Sequence, residues 1–222
     1  MRKLIQGIVD FRQNRTEESR ALFAKLALGQ KPDVLFIACS DSRVVPNLFA
    51  STNPGDLFVL RNIGNLIPPV DLSSEESSVP AAIEFSVCVL KVPDIVVCGH
   101  SECGAMQALV QGIDTVSCPH LKSWLKYGET SLEKVRKGFS LNPYLSEHNQ
   151  ISQVNVLEQM EHIASYPSVR ERLEKKQLRI HGWWFDIAHA DVYCYEPSVN
   201  QFVLIDEKEA TLIFDRMKSS PE

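Results

Sequence analysis

DVLFIACSDSR (residues 33–43) decides the fold. Its apolar run from Val34 to Ala38 is too short for a helix and does not alternate, as a strand covered on both faces reads. The run stops on Cys39, and Ser40, Asp41, Ser42 and Arg43 follow at once. Two more short runs repeat the pattern, DLFVLRN (56–62) and DIVVCG (94–99). VPAAIEFSVCVLKV (79–92) reads as a helix with Pro80 in its first turn, and CGAMQALVQG (103–112) opens another. Residues 150–176 have a helical pattern interrupted at Pro167, and LRIHGWWFDI, DVYCYE and QFVLID alternate as strands do. Strands alternating with helices predict an α/β fold: a mostly parallel central sheet flanked by helices.

Outside that frame, residues 2–13 and 16–28 read as two amphipathic helices, the second capped by Thr16 with acids in its first turn. DLSSEESS (71–78) reads as a polar loop and residues 113–149 as a less regular insertion. With no repeat, low-complexity tract or clean linker, residues 1–222 are expected to form one domain with an N-terminal helical arm over 1–29.

At 222 residues, with 44% apolar and 23% charged, the chain can bury a core without covalent staples. Its net charge of −5 offers no basic surface to nucleic acid. The N-terminal apolar run is broken by Gln6 and Asp10 and no small-residue cleavage site follows, so no signal peptide is expected. No stretch of about 18 apolar residues predicts a membrane span. A cytoplasmic setting follows as the expectation. Of the six cysteines, Cys88, Cys98 and Cys194 sit in apolar runs and read as buried small hydrophobes.

In open parallel sheets, ligands bind beyond the carboxyl ends of strands. That rule selects ACSDSR, which offers Cys39, and CGHSECG, which offers His100 and Cys103. If the two strands are neighbours, two thiols and an imidazole converge. Two thiolates and one imidazole are a known catalytic zinc set, with a fourth position for water. Cys118 and His120, in CPH, have no strand end to place them and read as exposed loop residues. A nucleophilic Cys39 is the rival reading, but His100 comes with a second cysteine, which favours metal over a Cys–His dyad. Asp41 is placed to reach the metal or to accept a proton from water on it; Arg43 would pair with that carboxylate and keep it ionised. Two thiolates cancel zinc's charge, so activity is expected to rise into the mildly alkaline range.

CSDSRV followed by GHSECG resembles the β-class carbonic anhydrases. The resemblance runs from about residue 16 to 216 and takes in NPGDLFVLRNIGNLIPP, AAIEFSVCVLKVPDIVVCGHSECGAM and HGWWFDI. It implies a zinc enzyme, one Zn²⁺ per chain, that hydrates carbon dioxide to bicarbonate and a proton by attack of zinc-bound hydroxide. It implies a homodimer, with dimers pairing into tetramers or larger assemblies. Carried over by position, the ligands are Cys39, His100 and Cys103, and the dyad is Asp41 with Arg43. Gln30 would donate to substrate from the partner subunit, Phe58 and Ile63 would form apolar walls, and Gly104 would turn its backbone N–H to the substrate.

The plant-like branch has a tyrosine where this chain has Phe85, which leaves an apolar wall without a phenol donor. The other branch carries a tryptophan and a glycine where this chain has Phe36 and Ala38. The plant-like branch is therefore expected, without an inhibitory bicarbonate pocket of that kind. A carbon disulfide or carbonyl sulfide hydrolase on the same scaffold is one alternative; a non-catalytic zinc or thiol module is another, which the Asp41–Arg43 pair argues against. No spacing singles out a proton-relaying histidine among His120, His148, His162, His181 and His189.

Overall fold

A computed structural model describes residues 1–72 and 77–219, with side chains as far as 217. Residues 73–76, in the expected polar loop, lie outside the described residues. The chain divides into two compact units, residues 1–31 and the remainder from Pro32 onward. The first unit is a pair of helices, α1 (Arg2–Gln13) and α2 (Glu17–Leu26). Thr16 caps α2 as expected: its Oγ1 accepts from the Ser19 N–H at 3.1 Å. Phe11 and Phe23 meet edge to face, and α1 leaves Leu4, Ile5 and Ile8 exposed.

The second unit opens with β1 (Val34–Cys39), a short helix α3 (Pro46–Phe49), β2 (Leu57–Asn62) and α4 (Ser78–Glu84). Then come β3 (Asp94–His100), α5 (Gly104–Gln111), α6 (Pro119–Leu125) and α7 (Glu129–Arg136). The long α8 (Glu147–Ala164) and α9 (Pro167–Glu174) precede β4 (Arg179–Asp186), β5 (Asp191–Glu196), β6 (Gln201–Leu204) and α10 (Glu207–Ser219). The six strands form one sheet in the order β2-β1-β3-β4-β5-β6. The first four are mutually parallel and the last two antiparallel, which gives the mostly parallel sheet the strand–helix alternation predicts. β1 and β3, the strands whose ends carry the candidate ligands, are direct neighbours.

β1 and β3 are buried nearly end to end, with apolar side chains packed on both faces. One core cluster joins Leu35, Ile37, Ile95 and Val97 of the sheet to Ile83 of α4, Val156 and Ile163 of α8 and Val169 of α9. Another packs Leu66, Met106, Leu109, Leu125 and Ile151 beside the candidate ligands. On the opposite face, Phe36, Val96 and Phe185 pack with Trp183, whose ring meets Phe36 at 5.7 Å. Trp184 and Phe185 are buried, in line with core packing of that aromatic run.

Three expectations change. The helix expected over 79–92 stops at Glu84 and widens into a π turn over Phe85–Val89, marked by the Leu90 N–H to Phe85 carbonyl bond at 3.0 Å. That extra residue per turn puts Cys88 and Val89 outside, so Cys88 is exposed, whereas Cys98 and Cys194 are buried as expected. The insertion over 113–149 contains α6 and α7, whose charged faces hid their period.

Candidate metal centre

Cys39 ends β1, His100 ends β3, and Cys103 is the residue before α5. The parallel pairing of β1 with β3 therefore brings all three to the carboxyl edge of the sheet. Their sulfur and nitrogen atoms lie within 4.8 Å of one another. All three are buried, with His100 at 0% exposure.

His100 Nδ1 lies 2.8 Å from the Ser101 carbonyl oxygen, which can only accept. The proton is thereby fixed on Nδ1, and Nε2 carries the lone pair. Nε2 is buried and has no hydrogen-bond partner. Such an acceptor is costly to bury unless something else meets it. The Cys103 thiol pulls the Cys39 pKa down, against the opposing effect of burial, and the Gly64 and Asp41 N–H groups add to the pull. Cys39 and burial in turn push Cys103 up. Two close sulfurs, one of them held toward the thiolate, facing an unmet imidazole nitrogen, suit a borderline-soft divalent cation such as zinc.

The loops around the cluster are held from several sides. The Gly64 N–H donates to Cys39 Sγ at 3.3 Å and the Asp41 N–H at 3.4 Å. Gly64 adopts φ +75°, and a Cβ there would fall 2.8 Å from the Ala105 Cβ, so the chain can make this approach only with glycine. Asp41 does not join the cluster. Arg43 Nε donates to its Oδ1 at 2.9 Å and Nη2 to its Oδ2 at 2.7 Å, and these bonds hold the carboxyl well below its usual range. Arg43 Nη2 also donates to the Glu102 carbonyl at 2.9 Å, tying the first loop to the second.

Other supports come from residues that no motif singled out. Arg61 Nε donates to the Cys39 carbonyl at 3.0 Å and its Nη2 to the Asp41 carbonyl at 2.7 Å. α8 presents a buried polar face: Ser152 Oγ donates to the His100 carbonyl at 2.7 Å, Asn149 Oδ1 accepts from the Glu102 N–H at 2.8 Å, and Asn155 Nδ2 donates to the Gly64 carbonyl at 3.2 Å. The run of amides in NQISQVNVLEQ was the available clue.

A cavity of about 490 Å³ is lined by Ser40, Asn62, Ile63, His120, Leu121 and Trp124, beside Cys39. Ile63 lines this cavity, and Trp124 Nε1 donates to its carbonyl at 2.8 Å. Gly104 starts α5 with nothing within 4 Å of where a Cβ would stand. Phe58 and Phe85 pair with each other, ring centroids 5.8 Å apart, but Phe58 stands opposite Leu35, four positions before Cys39 in register. At about 3.3 Å per residue that is on the order of 13 Å from the cluster along the strand. Gln30 lies in the first compact unit.

Fold and cluster together define an α/β protein with a buried sulfur–nitrogen metal-type site at the carboxyl edge of its sheet. The carbonic anhydrase family model matches residues 34–192. A carbonic anhydrase of Pseudomonas aeruginosa is 37% identical over 210 residues, covering 93% of each chain. One of Synechocystis is 37% identical over 208 residues, 91% of this chain and 74% of that one. Among solved structures, the β-carbonic anhydrase CcaA superposes with a TM-score of 0.86 at 36% identity, over 92% of this chain and 98% of that one. A tetrameric β-carbonic anhydrase of Sordaria macrospora gives a TM-score of 0.69 at 31% identity, over 86% and 92%. The chain belongs to the β-carbonic anhydrase family.

Proposed function

We propose that the chain hydrates carbon dioxide reversibly to bicarbonate and a proton, with zinc held by Cys39 Sγ, His100 Nε2 and Cys103 Sγ. The observation that carries this reading is the buried, partnerless His100 Nε2 facing two sulfurs within 4.8 Å. Zinc supplies Lewis acidity there, making water a usable nucleophile near neutrality. Asp41, held ionised by Arg43, accepts a proton at its carboxylate, and Arg43 keeps that carboxylate off the metal. That clamp, with Phe36 and Ala38 before Cys39, supports the plant-like branch. The apolar Ile63 wall suits a small uncharged substrate, and the Gly104 N–H is a donor for oxygen as it gains negative charge.

A homodimer completes the site in this reading, and a pair of dimers is compatible with it. Phe58 lies too far along the sheet to serve its own Cys39 and Phe85 packs against it, so in this reading they wall the partner's site, with Gln30 as a further donor. Phe58 stands on the edge strand β2, and α1 leaves an apolar row exposed, which suits an arm that docks on a second copy. Residues 1–222 are one catalytic domain in this reading, with 1–29 as its N-terminal arm. All six cysteines are free thiols, which suits the reducing cytoplasm in which we place the protein. No helix among the described residues is long and apolar enough to cross a membrane.

Metal analysis with stopped-flow hydration tests the reading. One zinc per chain and hydration are expected for the wild type, loss of both for Cys39→Ala, and retained zinc with lost turnover for Asp41→Asn. Hydration without stoichiometric zinc would refute it.

A further inference from the structure

Hydration releases a proton, and that proton has to leave the site before the next turnover. Among the residues that line the cavity of about 490 Å³ beside Cys39, His120 alone is titratable. Ser40 and Asn62 line the same cavity from the strand ends: Asn62 stands opposite Cys39 in register, and its carbonyl accepts from the Ser40 N–H at 2.7 Å. Another wall is α6, which contributes His120, Leu121 and Trp124. Trp124, four positions after His120 and so on the same helix face, donates from Nε1 to the Ile63 carbonyl at 2.8 Å. Ile63 precedes Gly64, whose N–H donates to Cys39 Sγ. α6 is thereby anchored to the turn that supports the cluster, with His120 in the cavity wall.

The other histidines outside the cluster are engaged. His148 pairs with Glu102 at 3.1 Å, His181 with Asp94 at 2.7 Å and His189 with Asp186, and His162 Nδ1 meets the Ile67 carbonyl at 2.7 Å. A relay has to take up and give up a proton in every turnover, and a ring nitrogen committed to a fixed partner is not available for that. Among the described residues nothing pairs with His120, which is exposed. No charge faces it from the rest of the cavity wall, and Lys122, the nearest charge along the chain, pairs with Asp114 at 2.7 Å. Cys118 does not line the cavity.

We propose that His120 relays the proton released by hydration from the cavity to buffer in solution, an inference that rests on the hydration reading above. Carbon dioxide and water give bicarbonate and a proton. The proton passes through water in the cavity to the lone pair of the neutral imidazole, and the imidazolium then gives it to a buffer base outside. At about 30 Å³ per water the cavity has room for such a chain, and imidazole is the side chain suited to both transfers near neutrality.

The test is stopped-flow hydration by the zinc-loaded protein, wild type against His120→Ala, in dilute and in concentrated buffer. In dilute buffer kcat should fall at least about tenfold, below the usual range for a positioned proton-transfer group because water still carries part of the flux. kcat/KM should stay at the wild-type value, because delivery of the proton to buffer follows bicarbonate formation. Concentrated imidazole buffer should restore kcat. A second readout needs no turnover and no variant that folds well: in the zinc-loaded wild type with carbon-13-labelled histidine, the His120 ring signal should titrate with the midpoint at which kcat in dilute buffer is half-maximal, kcat rising with pH as the ring loses its proton. Unchanged kcat in dilute buffer, a fall in kcat/KM equal to that in kcat, no restoration by imidazole, or a ring midpoint more than about one pH unit from the kinetic one would overturn the relay. Each of these leaves hydration by the wild type standing, whereas a zinc-loaded wild type that does not hydrate carbon dioxide would overturn the reading beneath it.

Discussion

Arg43 holds both carboxylate oxygens of Asp41 and, through the same Nη2, the carbonyl of Glu102. One guanidinium thus fixes the carboxylate proposed as proton acceptor and joins the two loops that carry the Cys–His–Cys cluster. Lysine has one point charge and no planar fork, so it cannot make these contacts together. Arg43→Lys is expected to keep zinc and to lose about 30- to 150-fold in kcat/KM, the equivalent of about 2–3 kcal/mol. Stopped-flow hydration with metal analysis checks this, and near-wild-type turnover would show that the clamp is dispensable.

The placement of Phe58 four positions before Cys39 in register makes a prediction about pairs of chains. Phe58→Ala should lower kcat/KM roughly tenfold by removing an apolar wall. Cys39→Ala should be inactive. In a hybrid dimer of the two, the chain with intact Cys39 faces a partner with intact Phe58, so one complete site forms. Co-expressed, differently tagged hybrids should turn over faster per intact metal site than the Phe58→Ala homodimer. Equal rates would place the Phe58 wall within its own chain.

The Cys39–His100–Cys103 cluster was legible because each residue lies in a short segment beside an apolar strand, and the strand ends converge by one neighbouring pair, β1 with β3. The alternation of strand and helix fixed a mostly parallel sheet for the same reason. The supports were not legible. Ser152 reaches His100 across 52 positions and Asn155 reaches Gly64 across 91, and such contacts leave no spacing to read. Cys88 misled because an apolar run does not announce a π turn. Arg61 is exposed on the edge strand β2, yet its length returns it to two carbonyls of the Cys39 loop.

Ser152 shows what those hidden supports do. Its Oγ donates to the His100 carbonyl and accepts from Trp184 Nε1 at 3.1 Å, both in the interior. Ser152→Ala leaves two buried groups unmet, at about 1–3 kcal/mol each in the least relaxed case. A loss of about 2–4 kcal/mol in urea unfolding is expected, together with roughly tenfold weaker zinc retention against a chelator. Unchanged zinc retention would mean that the His100 backbone is held sufficiently by the sheet alone.

Gly64→Ala attacks the same centre from the other side. The positive φ and the 2.8 Å approach to Ala105 both oppose a side chain, so a penalty of about 2–4 kcal/mol is expected. The displaced N–H also leaves Cys39 Sγ, so zinc should dissociate faster than from the wild type. Thermal unfolding and zinc release into a chromogenic chelator report the two effects separately. A stable variant with normal zinc release would show that the turn relaxes without disturbing the sulfur.

Asp94 provides a pH signature far from the metal. At the start of β3, its Oδ1 pairs with Arg179 Nε at 2.8 Å and His181 Nε2 at 2.7 Å, and its Oδ2 with Arg179 Nη2 at 2.7 Å. Burial pushes the carboxyl up, but Arg179 and His181 outweigh it and bring it down to about 2. That lies below the unfolded value of about 3.9. The stabilisation is therefore complete above roughly pH 4 and is lost as the pH falls toward about 2. Solvent screening at the partly exposed arginine keeps it to about 1 kcal/mol. Asp94→Asn should thus unfold at lower urea than the wild type near neutrality, with the gap closing between about pH 4 and 2. A gap that stays constant across that range would mean that the aspartate acts through packing and hydrogen bonding, with its charge contributing nothing.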